Sequence, residues 1–238
     1  MSPRYAEGNL VTAVGVWADF PVDAVPRPYV LTQSAVIEAG YRTGEAKGAF
    51  FEGRVRFAEG LPAAAAAALV AGGVRLSPDS RSLLLVTNAI QVRHPFRTDR
   101  GERMLPAWSL DVQDWLGPVI VLDDEPGNSW HPVTYPYARH WYSQDTATVD
   151  DHGTDLTYRF WGSPEIYTDY PDAQILQTAT AVAIAPRAVG RRAVDRAGMV
   201  APLLHVQIRT VTVRLDQPLG QRVLVNANGL AVDVAFQR

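Results

Sequence analysis

Short runs of Leu, Val and Ile, separated by turn-forming residues, recur along the chain from Leu83 to its last residues. Alternation with period two is typical of half-buried β-strands, because successive side chains point to opposite faces. The clearest case is 156–161, where Leu156, Tyr158 and Phe160 alternate with Thr157, Arg159 and Trp161. The pattern predicts a mainly β protein, either an antiparallel β-sandwich or two packed small β-lobes.

Further strands are predicted from apolar runs. They cover 10–20, 29–37, 50–57, 83–92, 104–112, 118–122, 176–184 and 203–215. Both parities of 10–20 are apolar, which favours a buried strand. One short Ala-rich helix is predicted at 62–71, because Pro62 suits a first helical turn and Gly72-Gly73 supplies a stop.

Two local patterns give sharper predictions. Asn228-Gly229 predicts a hairpin of 222–227 with 230–236, since a type I′ turn needs two positive φ angles. A two-residue loop would pair Val225 with Val232 and Val223 with Val234. In 203–215 the apolar parity changes near Arg209-Thr210, which predicts a β-bulge, a bend, or a passage of the strand from one sheet to the other.

The 238 residues are predicted to form a single domain. The alternative is that this domain consists of two lobes, 1–122 and 156–238. The segment 123–155 between them holds prolines, aromatic residues and acidic clusters. It is interpreted as a long, mostly irregular excursion, and loops of that length are usually functional or mobile.

Composition narrows the function classes. The chain has no cysteine, which excludes disulfides, thiolate zinc sites and cysteine nucleophiles. A net charge of −3 argues against nucleic acid as a partner. The longest apolar run, 61–70, is too short to span a bilayer. Because Met1–Gly8 lacks the features of a signal peptide, a cytoplasmic location is expected as written, or a secreted or cell-surface one if a signal has been removed.

Three segments together resemble a group of uncharacterised β-rich proteins from actinobacteria, many of them secreted or lipid-anchored. The first runs from Arg27-Pro28-Tyr29 to Phe50, and the second is the F-x-TDRG-x-R-x-LPAW-like segment 96–108. The third contains the PLG-x-RV sequence of 218–223. The resemblance implies a β-rich fold, and it implies no activity.

The first candidate site is the turn Thr98-Asp99-Arg100-Gly101. Asp99, Arg100 and Arg103 have the charges to bind an anionic or polar ligand on a loop held by two strands. The alternative is turn chemistry, with Gly101 at positive φ and an internal Asp–Arg pair that pins the loop.

The second candidate site is aromatic. Rings with polar tips in an irregular segment form sugar or peptide platforms, and they also plug the open ends of sandwiches. These residues are Trp130, His131, Tyr135, Tyr137, His140, Trp141 and Tyr142.

Motifs for catalysis, cofactors and metals are missing from the sequence. None of the five histidines has the spacing of a zinc site, and there is neither a G-x-S-x-G elbow nor a phosphate loop. A local basic patch is formed by Arg187, Arg191, Arg192 and Arg196; it is interpreted as a solvated connection, with binding of nucleic acid or of an acidic surface as the alternative. No catalytic residue, metal ligand or cofactor is therefore predicted.

The leading hypothesis is a non-catalytic module that binds an unknown protein, peptide or carbohydrate through 123–155. One alternative is a hydrolase, metal-assisted or not, that uses the histidines and carboxylates of that segment. The other is a structural or assembly protein.

Overall fold

The computed structural model describes residues 9–76, 84–132, 143–190 and 206–237. The prediction of a mainly β protein is confirmed, although the described residues hold three helices instead of one. None of these helices has the length and apolar character that a membrane crossing requires. The helices are α1 (Asn9–Gly15), α2 (Gly44–Phe51) and α3 (Ala63–Ala71). The strands are β1 (Val36–Glu38), β2 (Val55–Phe57), β3 (Leu84–Thr98), β4 (Gly101–Val112), β5 (Val119–Leu122), β6 (Thr146–Val149), β7 (Asp155–Gly162), β8 (Thr168–Asp169), β9 (Ala173–Gln177), β10 (Ala181–Pro186), β11 (Val189–Gly190), β12 (Gln207–Arg214), β13 (Val223–Asn226) and β14 (Asp233–Phe236).

The chain divides into two compact units, and neither is a continuous half of the sequence. Unit 1 consists of 1–32, 97–101 and 130–238, and unit 2 of 33–96 and 102–129. Unit 2 is built on a five-stranded sheet in the order β1-β5-β4-β3-β2. Its core joins buried residues of that sheet to apolar residues of α2 and α3, among them Phe50 and Leu69.

Unit 1 is layered around the three-stranded sheet β13-β10-β9. All six residues of β10 are buried, and the alternation of the first five divides them between two clusters. Ala181, Ala183 and Ala185 pack with α1, whereas Val182 and Ile184 pack with the four-stranded sheet β12-β7-β6-β14. Two pairs in these sheets are parallel, β10 with β13 and β6 with β14, so the sheets are mixed instead of purely antiparallel.

The strand prediction for 10–20 is wrong, because Asn9–Gly15 forms helix α1. Leu10, Ala13, Val14 and Trp17 are buried, while Val11 is 67% exposed. That spacing of i, i+3, i+4 and i+7 is the apolar stripe of a helix. The apolar residues on both parities, which favoured a strand, lie instead on the buried face of helix α1 and along the borders of that face.

Several other boundaries differ from the sequence prediction. Phe50 and Phe51 of the predicted strand 50–57 belong to α2, and 29–37 contributes β1 and isolated bridges, among them the bridge from Leu31 to Thr98. The run 176–184 is two antiparallel strands, β9 and β10, and 123–155 contains β6. The predicted helix at 62–71 is confirmed as α3, with Gly72 as its C-cap.

The predicted terminal hairpin with a two-residue loop is also wrong. β13 pairs in parallel with β10 and β14 with β6, and the reverse turn between them is one residue longer. Val225 bridges Ala231 instead of Val232, and Asn226 N–H donates to Leu230 O at 2.9 Å. The Asn226 side-chain oxygen accepts from the N–H groups of Asn228 (3.0 Å) and Leu230 (3.1 Å). These two bonds stabilise the wider turn.

Gly229 has a φ of +76°, in the left-handed region that the turn signal predicted. We expect Gly229→Val to lower the free energy of unfolding by about 1–2 kcal/mol or more, because a β-branched residue is strained at positive φ. A Cβ at this position would also lie 3.4 Å from Ala13 Cα. Urea denaturation measures the loss.

Gly190→Val is the matched control, because Gly190 lies on β11 without a positive φ, and a Cβ added there would have no heavy atom within 4 Å. Its effect should stay within about 0.5 kcal/mol. Equal effects of the two substitutions would contradict the argument from φ.

Candidate functional site

The turn between β3 and β4 is held by a buried ion pair inside unit 1. Asp99 is fully buried, and its carboxylate accepts from the Arg27 guanidinium and, at 3.1 Å, from Val30 N–H. Asp99 N–H donates back to Val30 O at 2.8 Å. Gly101 has a φ of +83°, as the turn chemistry requires. The carboxylate of Asp99 is therefore occupied by groups of the protein itself.

Arg100 points toward backbone carbonyls of the same unit. Its Nη2 donates to Gly220 O (2.8 Å) and Arg222 O (2.7 Å), and its guanidinium lies over the Phe236 ring at 5.1 Å. Arg103 is exposed on β4 and belongs to unit 2. The structure thus places the three charged candidates in three different environments.

Trp130 is half-buried against the cluster that surrounds α1. Its ring centroid lies 5.1 Å from that of Trp17 and 5.3 Å from that of Phe20. The backbone N–H of Trp130 donates to Tyr29 O at 2.9 Å, and the neighbouring His131 is exposed. The other aromatic candidates lie outside the described residues; they are Tyr135, Tyr137, His140, Trp141 and Tyr142.

The histidines and the Arg-rich connection are the remaining candidates for a site. No group of three or more His, Asp or Glu side chains in the described parts of the chain has the arrangement of a metal site. His152 is exposed, with Nε2 3.8 Å from Asp151 Oδ1. Arg187 forms an exposed bidentate pair with Asp172, and Arg191, Arg192 and Arg196 lie outside the described residues.

The outer face of the sheet β12-β7-β6-β14 is lined by threonines. The register places Thr157 opposite both Thr148 and Thr212, and Arg159 opposite both Thr146 and Thr210. The opposite parity of β7 (Leu156, Tyr158, Phe160) is buried in unit 1. We call the exposed side the outer sheet face; its members are Thr146, Thr148, Thr157, Arg159, Trp161, Ile208, Thr210, Thr212 and Arg214.

One end of the outer sheet face is apolar. Trp161 on β7 is paired directly with Ile208 on β12, and each is 45% exposed. Val206, which precedes β12, is 58% exposed. Side chains on directly opposed residues of antiparallel strands lie in contact distance. Trp161 and Ile208 thus form an exposed apolar pair beside polar neighbours.

The same region overturns the predicted bulge at Arg209-Thr210. β12 pairs with β7 in one unbroken register from Gln207 to Arg214. Val211 and Leu215 face the core, whereas Ile208 faces outward. The apolar parity changes because Val206 and Ile208 are exposed apolar residues, while the strand itself remains regular and its hydrogen-bonding register does not shift. The sequence pattern predicted that Trp161 lies on the same face of β7 as Thr157 and Arg159. Its pairing with Ile208 follows only from the observed register of β7 and β12.

Comparison of the chain with protein-family models, with curated proteins and with solved structures gives no match.

Proposed function

We propose that this protein is a non-catalytic interaction module whose outer sheet face binds a protein partner. The exposed pair Trp161–Ile208 carries the proposal. Tryptophan is enriched among the residues that dominate binding energy at protein interfaces, where it lies near the centre of the contact. Of the tryptophans in the described residues, Trp17, Trp108 and Trp115 are buried and Trp130 is half-buried.

The surroundings of the pair match the anatomy of an interface. Threonines and Arg159 border the apolar pair and supply hydroxyl and guanidinium groups for hydrogen bonds. Interfaces combine such a polar rim with an apolar centre. The face is built on regular strands, so its residues are held in place before a partner arrives. An exposed, preformed sheet surface of this kind favours another protein over a small molecule, which requires a concave site.

The test is photo-crosslinking in cells that make the protein. A benzophenone amino acid at Thr210, beside the apolar pair, should form light-dependent adducts with a partner. Ile208→Asp in the same chain should abolish them, because a charge would be buried at the contact. The control carries the photo-reactive residue at Val189, which is exposed on β11. Adducts at position 210 that persist with Ile208→Asp would refute the proposed surface.

Stability separates a binding role of Trp161 from a structural one. We expect Trp161→Ser to change the free energy of unfolding by less than about 1 kcal/mol, as for other surface positions. Phe160→Ser on the buried side of β7 should cost about 3–5 kcal/mol. Denaturant titration of both variants measures these values. If Trp161→Ser lowers the free energy of unfolding as much as Phe160→Ser does, the indole ring of Trp161 has a structural role and not a binding role.

A further inference from the structure

A carboxylate occupies an inward-facing position of the unit 2 sheet. Glu38 ends β1 and pairs with Val119, and the preceding inward residue Val36 pairs with Val121. These three valines are buried in the core of unit 2. Burial raises the pKa of Glu38, while the charge of Lys47 opposes this shift. A carboxylate in such a position gains from a nearby cation.

A tyrosine hydroxyl contacts this carboxylate, and two further aromatic rings pack near that tyrosine. The Tyr41 hydroxyl donates to Glu38 Oε2, and the Tyr41 ring centroid lies 4.6 Å from that of Trp115 and 6.1 Å from that of Phe51. Tyr41 is half-buried, Trp115 is buried, and Phe51 is 51% exposed. The set of Glu38, Tyr41, Phe51 and Trp115 is called the aromatic corner below.

The chain places one of its own cations on this corner. Lys47 is the only lysine of the sequence, and its Nζ lies 5.7 Å from the centroid of the Tyr41 ring. It projects from α2, whose N-terminus is capped by Thr43, and its side chain is exposed. A cation over an aromatic face at an exposed site is held by only about 0.5–1 kcal/mol, a factor of about two to five. A free cation of similar chemistry can therefore compete with it.

We propose that the aromatic corner binds a small organic ammonium ion, which takes the place of the Lys47 ammonium over the Tyr41 ring beside Glu38. Carboxylates and aromatic faces together recognise methylated and quaternary ammonium groups, because the ring quadrupole attracts a weakly hydrated cation. Lys47 acts as an internal competitor that lowers the apparent affinity. This inference concerns unit 2 and does not depend on the proposed interface in unit 1.

The test is a titration with choline chloride, followed through the indole N–H signal of Trp115 in ¹⁵N NMR spectra. The neutral isostere 3,3-dimethylbutan-1-ol and sodium chloride serve as ligand controls. Choline should shift the signal saturably, and the isostere should not. Lys47→Met should bind choline roughly two- to fivefold more tightly than the unmodified chain. Arg54→Met, which removes another cation of unit 2, should leave the affinity unchanged.

Glu38→Gln keeps the shape of the side chain and should abolish the shift in the Lys47→Met background. Tyr41→Leu, which removes the ring, should do the same, and the thermal unfolding midpoint verifies that each variant is folded. An equal response to the neutral isostere would overturn the proposal, because the corner would then be merely apolar. Equal affinity with and without Lys47, or a shift that survives Glu38→Gln, would overturn it as well.

Discussion

Asp99→Ala should lower the free energy of unfolding by about 3–5 kcal/mol, the loss expected when one partner of a buried ion pair is removed. Asp99 is 0% exposed and its partner Arg27 only 10%. The substitution leaves the guanidinium of Arg27 without its counter-charge and Val30 N–H without its side-chain acceptor. Urea denaturation followed by tryptophan fluorescence measures the loss.

The chain offers a matched control for this substitution. Asp172 forms a bidentate pair with Arg187, but both side chains are about half exposed. Asp172→Ala should therefore cost no more than about 1 kcal/mol. Replacing both members of the buried pair, as in Arg27→Met with Asp99→Leu, should recover part of the loss, because no charge then remains buried. Similar losses for Asp99→Ala and Asp172→Ala would contradict the importance of burial.

Arg222→Met should lower the free energy of unfolding by about 3 kcal/mol, because several backbone carbonyl groups lose a charged hydrogen-bond donor. Arg222 is 9% exposed, and burial lowers the pKa of its guanidinium. Nη2 donates to Gln217 O (2.9 Å) and Pro218 O (2.7 Å), and Nε donates to Leu219 O (3.3 Å). Nη1 reaches the Gln177 side chain at 3.2 Å. Denaturant titration measures the loss.

Arg222→Lys should lose nearly as much stability, since three donors on one ammonium nitrogen cannot replace the planar fork of a guanidinium. Arg214→Met on β12 is the control. Its guanidinium is 80% exposed, and its effect should stay within about 0.5 kcal/mol. A fully stable Arg222→Lys variant would show that charge alone matters at this position.

Sequence patterns predicted the strands best where one face is buried and the other exposed. In β7 the alternation predicted which residues enter the core, and Pro62 with Gly72 delimited α3. α1 was missed although its spacing of buried residues is helical, because β-propensity and apolar residues on both parities outweighed the period. The buried positions Leu10, Ala13, Val14 and Trp17 fit the helical period of 3.6 residues and do not fit a period of two.

Other features could not be predicted from local patterns. β13 pairs with β10 and β14 pairs with β6, and both partners are distant in the sequence. The residues of a turn cannot predict a pairing between strands that the turn does not connect. The turn at Asn228-Gly229 is widened by the side chain of Asn226, which the two-residue rule does not consider. The pairing of Trp161 with Ile208 and the placement of Lys47 over Tyr41 likewise depend on register and packing.

The parallel pairs of unit 1 also have a consequence for synthesis of the chain. The ribosome makes α1 long before β13 and β14, but the sheet on which α1 packs needs β13, and β6 needs β14. Contacts between segments so distant in sequence form slowly and leave apolar surface uncovered in the meantime. A ribosome that stalls before residue 223 would therefore hold a nascent chain in which helix α1 has no complete sheet to cover it, and such chains depend on chaperones to escape aggregation.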